Sequence, residues 1–369
     1  MIIPSPSADD DGGRRRAVSS QLALRGPELS ANLCKPEEDT LRVLVTGGSG
    51  NVGVGVVRAL NAARHHVVVA SRGYSPALLP EGVRAVRLER TEPDAYTRLV
   101  AAEKPDAVID LTCHDAADAA VTLRACAGVD RVVVVSSVTA AGPATTTPVT
   151  EATAAPPLSE YGIDKLAVEE TVRAAWADGT SQALLVRLGA VYRLGADLDG
   201  QLAEDGCWLA HAAAGAPAVL ADDGAARWNL LHADDAGAAL AELLANDRAR
   251  GVLVHLASRH PLPWRELYER VHHALGRPFN PVSVPAEWAA EQLEDAEFLA
   301  ETSRWDQVFD LGLLDRLAPS YQERGGPSRV TEVALWLIRQ GRVGDAELGA
   351  EIQELPARLA AVRTAPGLV

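Results

Sequence analysis

The chain has 369 residues, 47% hydrophobic and 23% charged, which suits a folded protein with a buried core and excludes a disordered one. Its 35 basic and 50 acidic side chains leave a net charge of −15, a field that repels polyanions, so nucleic acid and acidic membrane surfaces are disfavoured as partners. Cys34, Cys113, Cys126 and Cys207 show no CxxC spacing and no apolar run approaches ~18 residues, so disulfide framework, zinc site and membrane span are all disfavoured and a reduced, cytoplasmic protein is expected.

Residues 1–40 are rich in Ser, Pro, Gly, Asp and Arg without any sustained period, and predict a flexible extension with no targeting signal. From Leu41 strand-like and helix-like patterns alternate. Strands are predicted at Arg42–Thr46, Val67–Ser71, Val83–Leu88, Ala107–Thr112, Arg131–Ser136 and Ala183–Leu188. Helices are predicted between them at Val52–Arg64, Glu92–Glu103, Ala116–Ala127 and Glu160–Ala177. Near-continuous Val/Ile/Leu runs suit strands covered on both faces, and the alternation predicts an α/β fold with a doubly wound parallel sheet over residues 41–190. Residues 191–369 are less regular and predict a smaller α/β substrate-binding lobe, with some strands returning to the core sheet. Its helices are expected at Ala203–Ala214, Asp234–Asn246, Trp264–Leu275, Ala286–Leu299, Ser328–Gln340 and Asp345–Val362, and its strands near Pro217–Leu220 and Val252–Leu256.

The first strand runs into Thr46-Gly47-Gly48-Ser49-Gly50-Asn51-Val52-Gly53, and then a helix begins. Gly47 permits a tight turn, Gly50 lets backbone approach a pyrophosphate, and Gly53 lets the helix pack on the strand. The helix N-terminus offers free N–H groups to phosphate. This is a dinucleotide loop in the required place. The second strand ends at Ser71-Arg72, with no acidic residue to hold ribose hydroxyls. A guanidinium and a hydroxyl suit a 2′-phosphate, so NADP is favoured as cofactor and NAD remains possible. Glu89-Arg90 after the third strand either touches the adenine edge or forms a solvated pair. Leu111 and Thr112, at the end of the fourth strand, complete the cofactor candidates.

Tyr161 and Lys165 stand at i and i+4 on one helix face, downstream of a strand ending Ser136-Ser137. A phenol of pKa near ~10 is a poor acid–base at neutral pH. A nearby ammonium and an oxidised nicotinamide both favour its ionised form. Tyr161 then exchanges a proton with a substrate hydroxyl or carbonyl, Ser137 hydrogen-bonds the same oxygen, and the nicotinamide exchanges hydride at its carbon. Glu169-Glu170 further along this helix read as solvated.

These residues, with Leu185–Tyr192, His232-Ala233-Asp234-Asp235, Trp264–Leu267 and Phe309-Asp310, resemble the short-chain dehydrogenase/reductase superfamily, in particular its extended and atypical NAD(P)-dependent epimerase/dehydratase members. The resemblance covers roughly residues 41–340. It implies a Rossmann core, catalytic roles for Ser137, Tyr161 and Lys165, and a structural role for Asp235. Val138-Thr139 replaces the Asp-Glu pair of sugar-nucleotide dehydratases, which disfavours dehydration and leaves epimerase or ketoreductase chemistry. Trp228 replaces an arginine that nucleotide-sugar epimerases set against the substrate diphosphate. It either stacks on a substrate ring or packs in the core. The short Cys113–Val129 connection leaves a homodimer possible but open.

The expected substrate is a small molecule, a sugar or sugar-nucleotide-like polyol. The alternatives are a non-sugar ketone and a scaffold that has lost catalysis. Thr139, Tyr192, Trp228 and His114 are the candidate substrate contacts, His114 standing equally for an exposed loop histidine. No metal is expected: His65-His66 have no carboxylate at ligand spacing, and His272-His273 read as surface residues. Trp208 and His211 read as core.

Overall fold

The structure is a computed structural model that describes residues 40–73, 79–92, 94–294 and 296–364. Of the predicted extension over residues 1–40, all but Thr40 lies outside them. In chain order the first half holds β1 (Arg42–Thr46), α1 (Gly53–Ala62), β2 (His66–Ser71), β3 (Arg84–Arg87), α2 (Ala95–Glu103), β4 (Ala107–Asp110), α3 (Ala116–Ala125), β5 (Arg131–Ser137), α4 (Glu160–Ala177), β6 (Leu184–Leu188) and β7 (Ala190–Tyr192). The second half holds α5 (Trp208–Ala214), β8 (Ala218–Ala221), β9 (Arg227–Trp228), β10 (Leu230–His232), α6 (Ala233–Ala245), β11 (Leu253–Leu256), β12 (Leu262–Pro263), α7 (Trp264–Ala274), β13 (Pro281–Val284), α8 (Ala286–Gln292), α9 (Gly312–Leu317), α10 (Pro327–Arg339) and α11 (Ala346–Thr364).

Seven strands form one parallel sheet in the order β11-β6-β5-β4-β1-β2-β3. This is the Rossmann order, extended at the β6 edge by a strand from the second half. Its chain order reverses between β1 and β4, where ligands bind beyond the strands' carboxyl ends. The valine-rich strands divide by parity, as a pleat of period 2 requires. Val43, Val45, Val69 and Ile109 face a core built with Val56, Val57 and Leu60 of α1 and Ala236, Leu240 and Leu243 of α6. Leu44, Val68 and Val108 face the opposite side, against Tyr96 and Val100 of α2. Val134 and Leu185 pack on Val168 and Val172 of α4.

A second core gathers Trp208, Trp228, Trp264, Tyr268 and Leu337 from residues beyond 190. Trp208 stacks on Tyr268 with ring centroids 4.3 Å apart, and Trp228 stacks on Trp264 at 5.1 Å. Three predicted elements are shorter than expected, two of them where a carboxylate takes a backbone N–H from the regular pattern. The fourth strand stops at Asp110, whose Oδ1 accepts the Thr112 N–H at 2.9 Å. The helix expected from Ala203 starts at Trp208, after the Asp205 carboxylate accepts the Cys207 N–H at 2.7 Å. The helix expected to reach Leu299 ends at Gln292, and Leu299–Ser303 forms a separate π turn that carries Glu301.

Helix α6 joins the second half of the chain to the phosphate loop. It crosses α1 so closely that a Cβ on Gly55 would stand 1.8 Å from the Ala233 carbonyl oxygen, and one on Gly237 would stand 2.2 Å from that of Gly55. Backbone cannot yield as a flexible side chain does. Gly55→Ala therefore forces the two helices apart. The expected cost is about 1–3 kcal/mol, read as a lower thermal midpoint with weaker dinucleotide binding. An unchanged midpoint would show that the crossing is looser than this.

Candidate active site

β1 delivers the chain to the glycine loop at the switch point. Gly47 adopts φ +73°, a left-handed turn, and a Cβ there would lie 2.7 Å from the Thr112 methyl. The loop opens onto a groove of about 660 Å³. Gly47, Gly50, Asn51, Val52 and Gly53 line it beyond the end of β1. Ser71, Arg72 and Glu89 line it at the ends of β2 and β3, and Leu111, Thr112 and His114 beyond the end of β4. This volume suits a cofactor. Arg193 also lines the groove, and its buried Nε–H has no partner among the described residues. An orphaned guanidinium N–H beside a phosphate loop fits a pyrophosphate.

Thr46 is a cofactor candidate that lies outside the groove lining. It is fully buried, and its hydroxyl donates to Asp110 Oδ1 at 2.6 Å. Asp110 also accepts from the Thr122 hydroxyl at 2.6 Å and from Arg90 Nη1 at 2.8 Å. Burial alone would raise the Asp110 carboxyl; the Arg90 guanidinium and these hydroxyls outweigh it and hold the pKa low. Arg90 is no solvated partner of Glu89. Its Nε donates to Asp118 at 2.7 Å, so it ties β4 and α3 together at the groove wall, which it lines.

A second cavity, of about 580 Å³, adjoins the first: Asn51, Val52 and Leu111 line both. Ser137, Thr139, Tyr161, Lys165 and Trp228 line the second cleft. Ser137 ends β5, and its hydroxyl accepts from Thr139 Oγ1 at 2.9 Å. Tyr161 sits in the first turn of α4, 52% exposed, and the Ser137 hydroxyl acts on its phenol. Lys165 Nζ donates to the Cys113 carbonyl at 2.6 Å and lies 5.5 Å from the Tyr161 ring centroid. The protein's own field does not ionise the phenol as expected. Desolvation of the hydroxyl raises its pKa, the Ser137 hydrogen bond lowers it, Glu204 raises it again, and the balance is upward. The Lys165 ammonium is itself pushed down by burial and held on a carbonyl rather than on the phenol oxygen.

Of the substrate candidates, the cleft brings together Thr139 and Trp228. Tyr192 is 1% exposed and lines neither cavity; its ring packs edge-on against His232 at 5.1 Å. His114 is exposed and faces the groove, not the cleft. Among the described residues no group of His, Cys, Asp or Glu could hold a metal ion.

Two residues read as solvated are buried. His272 Nδ1 donates to the Tyr268 carbonyl at 2.8 Å, inside the second core. Glu169 is 0% exposed and meets Arg187 of β6 through two 2.7 Å bonds; Ser136 Oγ donates to it at 3.1 Å. It lies one turn beyond Lys165 on the Tyr161 face of α4. Sequence reasoning also missed Glu301. Its carboxylate accepts the Leu158 N–H at 2.8 Å, the Ser159 N–H at 3.1 Å and the Ser159 hydroxyl, which itself caps α4 by accepting from Gly162 N–H. No local pattern marks Glu301, whereas an arginine within the apolar run Leu184–Leu188 does signal a buried acid.

The model of the NAD dependent epimerase/dehydratase family matches residues 43–254. Among solved structures, an epimerase from Methanothermobacter thermautotrophicus is 19% identical with a TM-score of 0.66, over 85% of this chain and 95% of that one. A UDP-glucose-4-epimerase from Stenotrophomonas maltophila, with bound NAD and formylated UDP-arabinopyranose, is 20% identical at 0.66, over 82% and 99%. The Bordetella bronchiseptica enzyme WbmG in complex with NAD is 18% identical at 0.64, over 84% and 97%. At these identities the likeness shows a shared fold.

Arg187→Leu leaves Glu169 buried with only Arg173, 3.8 Å away, to meet its charge. The expected loss is about 3–5 kcal/mol of stability, measured by denaturant unfolding, while Arg187→Leu combined with Glu169→Leu recovers most of it. A loss below about 1 kcal/mol in the single variant would show that the pair is not what holds α4 on the sheet.

Proposed function

The chain belongs to the NAD dependent epimerase/dehydratase family, and on that premise we propose that it moves a hydride and a proton at a hydroxyl or keto carbon of a polyol-like small molecule. The observation that carries this reading is the junction of the two cavities. A groove with a phosphate loop and a cleft with Ser137, Tyr161 and Lys165 share the wall formed by Asn51, Val52 and Leu111.

A nicotinamide dinucleotide, when bound, supplies the hydride exchange. The glycine loop and the N-terminus of α1 hold its pyrophosphate, with Arg193 as a side-chain donor. Tyr161 gives a proton to the carbonyl oxygen in reduction and takes it from the hydroxyl in oxidation. Ser137 hydrogen-bonds that same oxygen and fixes it beside the phenol. Lys165, anchored on Cys113, contributes positive charge against the Tyr161 ring. An epimerase would use Ser137 and Tyr161 twice, the phenol taking the proton from one oxygen and then giving it back. Arg72 and Ser71 at the end of β2 support NADP over NAD.

Tyr161→Phe removes the proton donor and keeps the ring. With NADPH and a panel of ketoses and hydroxyketones followed at 340 nm, the expected loss in turnover is about 10²–10⁴-fold, with cofactor Kd unchanged within threefold. A wild-type rate in this variant would overturn the mechanism. Arg72→Ala should weaken NADP+ at least tenfold and leave NAD+ nearly unaffected, measured by calorimetric titration; equal weakening of both would assign Arg72 no role at the 2′-phosphate.

A further inference from the structure

The cleft carries a charge pattern that the hydride and proton chemistry does not use. Besides Tyr161, its titratable lining consists of Lys165 and four carboxylates: Asp199, Glu204, Glu297 and Glu301. Among the described residues no arginine or histidine lines it. Lys165 is committed to the Cys113 carbonyl, and Glu301 is committed to the N-terminus of α4. Glu297 is exposed. Asp199 is half-buried and makes no hydrogen bond or ion pair among the described residues.

Its neighbours do not relieve it. Asp197 pairs with Arg342 at 2.8 Å, and Asp205 accepts the backbone N–H groups of Cys207 and Asp345. Glu204 acts on both Asp199 and the Tyr161 phenol, and all three line the one cleft. Burial first, and then Glu204, Asp197 and Asp205, push the Asp199 carboxyl up to about 7. Every charged group acting on it is negative, which is a site lacking a cation.

A second observation points to a ligand with oxygen as well as charge. Trp228 lines the same cleft, is 4% exposed, and its buried Nε1–H has no partner among the described residues. An indole N–H only donates, so it asks for a hydroxyl or carbonyl oxygen.

We propose that the cleft takes a hydroxy or keto compound bearing an ammonium group, held by Asp199 with Glu204, and rejects nucleoside diphosphates. The proposal rests on the cleft being the substrate site of the reaction above. It makes Asp199 a specificity residue. A diphosphate would bring two negative charges among four carboxylates with no guanidinium to meet them, whereas an ammonium supplies what Asp199 lacks.

The test is calorimetric titration of the full chain loaded with NADP+, at neutral pH, with three probes: 6-amino-6-deoxyglucose, glucose and UDP-glucose. The amino sugar is expected to bind at least tenfold tighter than glucose and tighter than UDP-glucose. Asp199→Asn and Glu204→Gln should each remove most of that preference while leaving the NADP+ Kd within twofold, which also reports folding. Tightest binding by UDP-glucose overturns the proposal. So does the lack of any preference for the amine, absence of binding included, or a preference that survives in both variants. Failure here leaves the Tyr161→Phe rate loss standing; a wild-type rate in Tyr161→Phe with the amine preference intact overturns the mechanism and not the binding site.

Discussion

The carboxylate of Glu169 meets the guanidinium of Arg187 through two parallel bonds in a place that water does not reach. Two ions that have lost their hydration hold each other in one geometry, because any slip leaves a charge unpaired in a medium of low dielectric. That constraint sets the register of α4 on β6. Tyr161, Lys165 and Glu169 follow one another at four-residue spacing, so fixing the last of them orients the first two over the carboxyl end of the sheet. Ser136, bonded to the same carboxylate, is the neighbour of Ser137. One buried pair thus places both ends of the Ser137–Tyr161 contact. Glu301 secures the other end of the helix, where a carboxylate also meets the positive end of the helix dipole.

A chain of net charge −15 has built two adjoining cavities of opposite character. The groove concentrates donors: loop N–H groups, a helix N-terminus, and the guanidiniums of Arg72 and Arg193. The cleft concentrates carboxylates and keeps its one ammonium on a backbone carbonyl. Local architecture, not bulk charge, decides what each cavity attracts. The contact between Gly55 and Ala233 links the two: α6, which belongs to the second half of the chain, abuts the helix that carries the phosphate loop.

Much of the core was legible because its signals are local. Arg42–Thr46 and Glu160–Ala177 read from sequence with the bounds the structure gives them: one is an unbroken apolar run before glycine, the other opens at a Ser159 cap. The glycine loop and the Tyr161–Lys165 spacing pointed to the groove and the cleft for the same reason. The strands β7, β9, β10 and β12 have two or three residues each, too few to show a period. Glu169 was misread because a helix acid defaults to solvent, although Arg187 inside an apolar strand carried the opposite signal. Glu301 depends on contacts with residues distant in sequence, and no spacing announces it.

The central claim is that one phenol serves one substrate carbon at the junction of groove and cleft. A crystal structure of the full chain with NADP+ tests it most directly. The account predicts the nicotinamide ring against the Leu111 and Val52 wall, its reacting face open to the same space as the Tyr161 hydroxyl. A ring seated elsewhere, with protein between it and that hydroxyl, would contradict it.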